Sequence, residues 1–199
     1  AHFVITHHYE SVVTKATLSK NGSIIQKCTV CDKVDSETVI YYPKTITASA
    51  TSFVYTGKVQ QPTVTVEDAN GKKVSASDYT LTYSGACKNV GTYTVAITFK
   101  GNYSGTATKQ FAITRAGNSI TASAVNKTVS KKVQSFRIGA KAKGGAKLTY
   151  KSNNKSITVD KNGKVTIAKN CIGKATITIS ASATTNYNAT IKKITVTVN

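Results

Sequence analysis

Residues 91–113, GTYTVAITFKGNYSGTATKQFAI, leave little room for anything but strands. Through TYTVAITF the pattern changes at every residue. Tyr93, Val95, Ile97 and Phe99 fall on one face, and Thr92, Thr94, Ala96 and Thr98 on the other. A period of two matches a half-buried strand, and β-branched and aromatic side chains pack well on a pleated surface. Turn chemistry (Gly-Asn-Tyr-Ser-Gly) separates this run from the next. The same order returns at residues 173–198, GKATITISASATTNYNATIKKITVTV, with Asn186-Tyr187 in the place of Asn102-Tyr103. The rhyme implies two β-sandwiches of related design rather than one domain of double size.

Three segments are expected in a chain of 199 residues: 1–43, 44–114 and 115–199. Helical periodicity is absent, and the best helical candidate, Ser75 to Tyr79, is one turn at most. The fold class is therefore all-β: a small N-terminal β-hairpin module and two sandwiches in tandem. In the first segment Asn21-Gly22 reads as a type I′ turn that sets Lys20 opposite Ser23 and Lys15 opposite Cys28. That segment is too short to bury a sizeable core, so it needs a staple or a neighbour. In the third, Asn162-Gly163 marks another hairpin, ITVDKNGKVTIA.

The net charge of +19 belongs mostly to the last segment. Residues 1–43 balance, residues 44–114 carry +4, and residues 115–199 carry sixteen Lys and Arg against one acid, Asp160. Fourteen of the sixteen are Lys, whereas nucleic-acid readers draw on Arg forks and aromatic stacking. Specific nucleic-acid binding is not expected. Attraction to polyanions is, and dispersed Lys on strand faces also protects sheet edges. No run of about 18 apolar residues exists, so no membrane insertion is expected. The first residue is not Met and no signal peptide is visible, which reads as a piece of something longer.

The candidate site lies in the first segment. Cys28-x-x-Cys31 offers two thiolates from one knuckle, and a hairpin centred on Asn21-Gly22 brings the early histidines to the same end. A structural zinc held by Cys28, Cys31, His7 and His2, with His8 as substitute for either histidine, would close a tetrahedron and staple the module. A Cys28–Cys31 disulfide, or reduced cysteines beside surface histidines, explains the same residues. A redox role fits poorly, because low-pKa CxxC pairs sit at helix N-termini in βαβ units and none is present. Cys87 and Cys171 read as packing residues, with a bridge between them as the alternative.

No constellation for catalysis is visible. All three histidines fall within the first eight residues, Glu67 and Asp68 point to opposite faces of a strand, and Asp160 reads as a turn residue. That turn position also argues against a Lys–Asn isopeptide bond. Five N-x-S/T sequons, starting at Asn21, Asn102, Asn126, Asn154 and Asn188, reflect composition. Sugar platforms favour Trp, which is absent; Tyr41, Tyr42, Tyr55 and Tyr103 remain as candidates, although Tyr at strand ends more often packs.

Residues 53–114, with Tyr-Thr-Gly-Lys at 55–58, Asp78-Tyr-Thr-Leu-Thr-Tyr and Gly101-Asn-Tyr-Ser-Gly, resemble the tandem Ig-like repeats of bacterial surface proteins called MBG or YDG type. Residues 115–199, with YKSNNKSITVDKNGKVTIA, resemble bacterial Ig-like domains of group 2, of the kind found in intimin- and invasin-like adhesins. Residues 7–40 resemble a short H-x-Y…C-x-x-C repeat of secreted Firmicutes proteins, carried by His7-x-Tyr9, Thr14-Lys15-Ala16-Thr17, Gly22 and Cys28-x-x-Cys31. Two departures stand out. Asp32 occupies a position where many copies have Gly, and Ile5 and Thr6 stand where many have a Cys, which leaves His2 as the early substitute for a fourth ligand.

These resemblances imply two Ig-like sandwiches in a non-enzymatic, cell-surface or secreted protein of a Gram-positive gut bacterium, expected as a monomer. The leading expectation is an adhesion or binding segment for a host protein, such as an immunoglobulin or matrix glycoprotein. A spacer presenting another domain is the second, and a binder of an anionic glycan or cell-wall polymer the third.

Overall fold

The computed structural model describes residues 6–199. It forms two compact units, Ala1–Phe53 with Lys58–Ile113, and Val54–Gly57 with Thr114–Asn199. No helix among the described residues is long and apolar enough to cross a membrane.

Unit 1 opens with an antiparallel three-stranded sheet, β1 (Tyr9–Thr14), β2 (Gly22–Cys28) and β3 (Val34–Ile40), in that spatial order. The third strand is absent from the hairpin expectation, because VDSETVI carries four polar residues in a row and little apolar alternation. Every residue of β1 is exposed, and in this sheet's neighbourhood only Ala16, Cys28 and Ile40 are buried apolar residues. The sheet therefore has almost no core of its own.

The expected register is corrected here. Tyr9 pairs with Cys28 and Thr14 with Ser23, so the connection spans residues 15–21 rather than two residues. Gly22 does not have a positive φ. Its lack of a side chain serves close approach instead: a Cβ there would lie 2.1 Å from the Thr14 carbonyl oxygen and 2.4 Å from the Ala16 nitrogen. The loop closes on itself through Thr17, whose hydroxyl accepts from the Lys20 N–H at 3.1 Å. Asn21 leaves the turn role to others and accepts the Tyr42 N–H through Oδ1 at 3.0 Å.

The rest of unit 1 is a sandwich of β4 (Pro43–Ala48), β5 (Ser52–Val54), β6 (Val64–Asp68), a single 3₁₀ turn (Ala76–Asp78), β7 (Tyr79–Tyr83), β8 (Gly91–Phe99) and β9 (Thr106–Thr114). Strands β4 and β6 pair in one sheet, and the other runs β5-β9-β8-β7. The alternation of β8 is realised as read: Val95 and Ile97 are fully buried and Phe99 nearly so, while Thr92 and Thr98 are exposed. Phe111 is ringed by Phe53, Tyr83 and Tyr93. Tyr79 and Tyr83 cross the core to donate to the carbonyls of Val64 and Pro62.

Unit 2 contains β10 (Ile120–Thr121), β11 (Val125–Lys127), β12 (Gln134–Arg137), β13 (Lys141–Ala142), β14 (Leu148–Ser152), β15 (Ile157–Val159), β16 (Lys164–Ile167), β17 (Gly173–Ala181) and β18 (Thr190–Val198). Its main sheet runs β11-β18-β17-β14, with β11 parallel to β18; a second runs β12-β16-β15, and β10 pairs with β13. Alternate residues of β17 and β18, among them Ile177, Ile179, Ile194 and Val196, meet Ile157, Val165 and Ile167 in one apolar core.

Two turns repeat a design across the units. In Asp68-Ala-Asn-Gly-Lys and Asp160-Lys-Asn-Gly-Lys the aspartate Oδ1 accepts the backbone N–H groups two and four residues on, at 2.8–2.9 Å. Gly71 and Gly163 both adopt positive φ, which closes the turn.

Candidate metal centre

The antiparallel pairing of Tyr9 with Cys28 places the residue before β1 beside the end of β2. The Thr29 N–H donates to the His8 carbonyl at 2.9 Å and locks the two segments together. Beyond Cys28 the chain folds back in a tight knuckle, in which the Asp32 N–H reaches the Cys28 carbonyl at 3.2 Å and the Cys28 N–H reaches that of Lys33 at 2.8 Å. Asp32 sits at φ 58°, a left-handed conformation that Gly adopts freely and Asp tolerates. Asp32 also pairs with Lys27 at 2.9 Å, across the mouth of the knuckle.

The knuckle brings His7, Cys28 and Cys31 together, their ligand atoms all within 4.8 Å of one another. His7 Nδ1 lies 3.4 Å from the Cys28 sulfur and 3.3 Å from the Cys31 sulfur. Zn–S and Zn–N bonds in a tetrahedron place sulfur and nitrogen about 3.6 Å apart, so these separations fit one ion among the three donors. Hydrogen bonds from the Val30 and Cys31 backbone N–H groups, with a further contribution from the His7 ring, lower the Cys28 thiol to about 6 against the opposing effect of burial. A thiolate at neutral pH is the form that binds metal. The His7 ring rests on Tyr9, centroids 5.8 Å apart.

The three residues could therefore hold a metal ion. His2 lies outside the described residues. His8 is exposed and does not join the donor group; it contributes its carbonyl instead. The signal for this site was in the sequence, but the role of Asp32 in shaping the knuckle was not.

The other cysteines are both free: Cys87 is fully buried at φ 48° in its turn, and Cys171 packs at the edge of the unit 2 core. Two of the four candidate sugar-stacking tyrosines have their rings packed against other aromatic rings. Tyr55 stacks edge-on against Tyr187, and Tyr103 packs against Phe99. Tyr42 donates its backbone N–H to Asn21, and Tyr41 remains exposed. A cavity of about 420 Å³ in unit 1 is lined by Asp68, Asp78, Lys72, Lys73, Asn102 and Tyr103 among others, and no histidine or cysteine borders it. Asp68 is already engaged by its turn. Burial, and then the nearby carboxylates of Asp68 and Asp78, push the Tyr103 phenol upward.

Residues 59–115 match the family model of the bacterial Ig-like domain (group 3), and residues 136–185 that of the intimin immunoglobulin-like domain. These matches support bacterial Ig-like surface domains in both sandwiches, and neither family is a catalytic one. No curated protein matches the chain. Among solved structures, extracellular domains 3–5 of Drosophila OTK align over 90% of this chain and 71% of theirs, at 10% identity and a TM-score of 0.36. Invasin, a bacterial integrin-binding protein, aligns over 87% of this chain and 44% of its own, at 13% identity and TM-score 0.32. The Yersinia pseudotuberculosis adhesin InvE aligns over 76% and 58%, at 15% identity and TM-score 0.30. Likeness of this degree carries no functional argument.

Proposed function

We propose that the chain is a non-enzymatic adhesion segment of a bacterial cell-surface or secreted protein, and that it engages a host protein such as an immunoglobulin or a matrix glycoprotein. The observation that carries this reading is the match of both sandwiches to bacterial Ig-like families, one of them intimin's. In finer terms, residues 44–114 belong with the MBG/YDG-type repeats and residues 115–199 with group 2 domains, and residues 1–43 form a module of their own. Rigid sandwiches hold loops and strand edges out for a partner, and Tyr-, Ser- and Asn-rich polar surfaces suit moderate-affinity protein recognition. The test is direct binding of the full chain to immobilised immunoglobulins and matrix glycoproteins. Saturable binding to one of them supports the reading, and none across the set overturns it in favour of a spacer.

A structural zinc staples the N-terminal module in this reading, with Cys28, Cys31 and His7 as ligands and His2 as the fourth. When bound it supplies folding energy rather than chemistry, because four protein ligands leave no open position. One zinc per chain by elemental analysis, lost in a Cys28→Ser/Cys31→Ser variant, is the expected result. A metal-free preparation with a fully protected β1–β2 pair, or a mass showing a Cys28–Cys31 disulfide, overturns it.

A further inference from the structure

The register of the main unit 2 sheet assembles a charged face from residues far apart in sequence. Inward positions of β17 and β18 fill the core, so the alternate positions face out. On that outer face Lys151 of β14, Thr178 of β17 and Lys193 of β18 form one row. The next row pairs Thr176 with Thr195, and the one beyond pairs Lys174 with Thr197. With strands about 4.8 Å apart, Lys151 and Lys193 stand about 10 Å from each other with a threonine between them, and Lys174 lies about 13 Å along β17 from that row.

Among the described residues, none of these three lysines forms an ion pair. The single acid of residues 115–199, Asp160, lies at the β15–β16 turn, and its carboxylate accepts the Asn162 and Lys164 N–H groups. The ion pair found among the described residues, Lys27–Asp32, is in unit 1. Edge protection explains Lys151, because β14 is an edge strand. It does not explain Lys174 and Lys193, which stand on the two interior strands.

We propose that this face binds a linear sulfated polysaccharide. Sulfate groups along such a chain meet the lysines as point charges. Its hydroxyls meet the intervening threonines, whose own hydroxyls both donate and accept. A polyphosphate offers acceptors only and would leave half of that capacity unused. The face's outward positions carry no aromatic ring, so neutral sugars and unstacked bases find no platform. The two arginines of this segment, Arg115 and Arg137, lie outside the sheet, so the face lacks the bidentate fork that reads phosphate or guanine. This inference does not rest on the protein-adhesion reading, and its probe is a polymer rather than a protein.

The experiment measures binding of the full chain to immobilised dextran sulfate, with neutral dextran, polyphosphate and duplex DNA as comparison arms. Lys151→Ser/Lys174→Ser/Lys193→Ser is set against Lys131→Ser/Lys132→Ser/Lys161→Ser, which removes the same charge from loops outside the sheet. The face variant is expected to bind dextran sulfate at least about tenfold more weakly, and the loop variant less than about threefold, the share due to net charge alone. A third variant, Thr176→Val/Thr178→Val/Thr195→Val, keeps the charge and the strand propensity. It is expected to weaken dextran sulfate and leave polyphosphate unchanged. Near-ultraviolet circular dichroism and melting of each variant separate lost binding from lost fold. Equal losses in the two lysine variants, tighter binding of polyphosphate or DNA by the wild type, or an unaffected threonine variant would each overturn the proposal.

Discussion

Ala16 forms a parallel β-bridge with Tyr103: its N–H donates to the Asn102 carbonyl at 3.0 Å, and its carbonyl accepts the Ser104 N–H at 2.9 Å. Ala116 forms the same bridge with Tyr187, donating to the Asn186 carbonyl and accepting the Asn188 N–H, each at 3.0 Å. In both cases an alanine from an upstream segment inserts into the Asn-Tyr turn between the two long closing strands of a sandwich. Within unit 1 this is what ties the coreless first sheet to the domain beneath it. Leu18 adds to the seal, since its Cγ lies 3.0 Å from where a Cβ on Gly105 would be.

Ala16 is fully buried in that bridge, so a larger side chain has nowhere to go. Ala16→Leu should destabilise the docking of the first sheet by about 1–3 kcal/mol through overpacking. Urea denaturation followed by hydrogen exchange at β2 amides measures it. Loss of protection confined to residues 6–42, with the β8 amides unchanged, is the expected pattern if the bridge docks the first sheet.

Gly22 and Gly71 separate two reasons for glycine. A Cβ on Gly22 collides with backbone atoms of Thr14 and Ala16, whereas one on Gly71 meets nothing within 4 Å and faces only the strain of φ +79°. Gly71→Ala should cost about 1 kcal/mol. Gly22→Ala should cost more than about 3 kcal/mol, because the obstructing atoms are main chain and cannot turn aside. Paired chemical denaturation of the two variants gives the comparison, and equal losses would contradict the close-approach account.

Asp32 holds the left-handed position of the cysteine knuckle. Asp32→Gly removes the conformational strain and also the Lys27 ion pair, an exposed contact worth under about 1 kcal/mol. Its stability should stay within about 1 kcal/mol of wild type. Asp32→Val places a β-branched residue at positive φ and should cost about 1–3 kcal/mol and loosen the Cys28–Cys31 turn. Thermal melts, with thiol accessibility as a second readout, decide between them.

The strands were legible wherever polarity alternated, as in β8, β17 and β18, because a period-two pattern has one good way to bury its apolar half. The Asn-Gly signal held at Gly71 and Gly163 but misled at Gly22. The same dipeptide serves a positive-φ turn in two places and a close backbone crossing in the third, and the crossing depends on Ala16 leaving to dock on Asn102, a contact 86 residues away in sequence. The grouping of His7, Cys28 and Cys31 was suggested by the CxxC and the nearby histidines, whereas the backbone pairing of Thr29 with His8, which keeps His8 out of that group, was not. The lysine face could not be read at all, since it depends on the register that aligns residues 151, 178 and 193.

Residues 115–199 contain one acidic side chain, so the part of unit 2's acid response that comes from side chains is traceable to Asp160. Hydrogen bonds from the Lys164 and Asn162 N–H groups, then the charges of Arg137 and Lys164, hold the Asp160 carboxyl below its ordinary value, with burial opposing. The folded state therefore binds its proton less readily than the unfolded chain, whose aspartate titrates near about 3.9. The stabilisation is present above that value and fades as pH falls through the lower folded pKa. Asp160→Asn keeps an Oδ1 acceptor for the turn but cannot titrate. It should be less stable than wild type at pH 7, and the gap should narrow as the pH drops below about 4. Hydrogen exchange of the β17 amides across pH isolates unit 2 from the acids of unit 1. A gap that stays constant from neutral to acid pH would mean that the turn carboxylate contributes nothing through its charge.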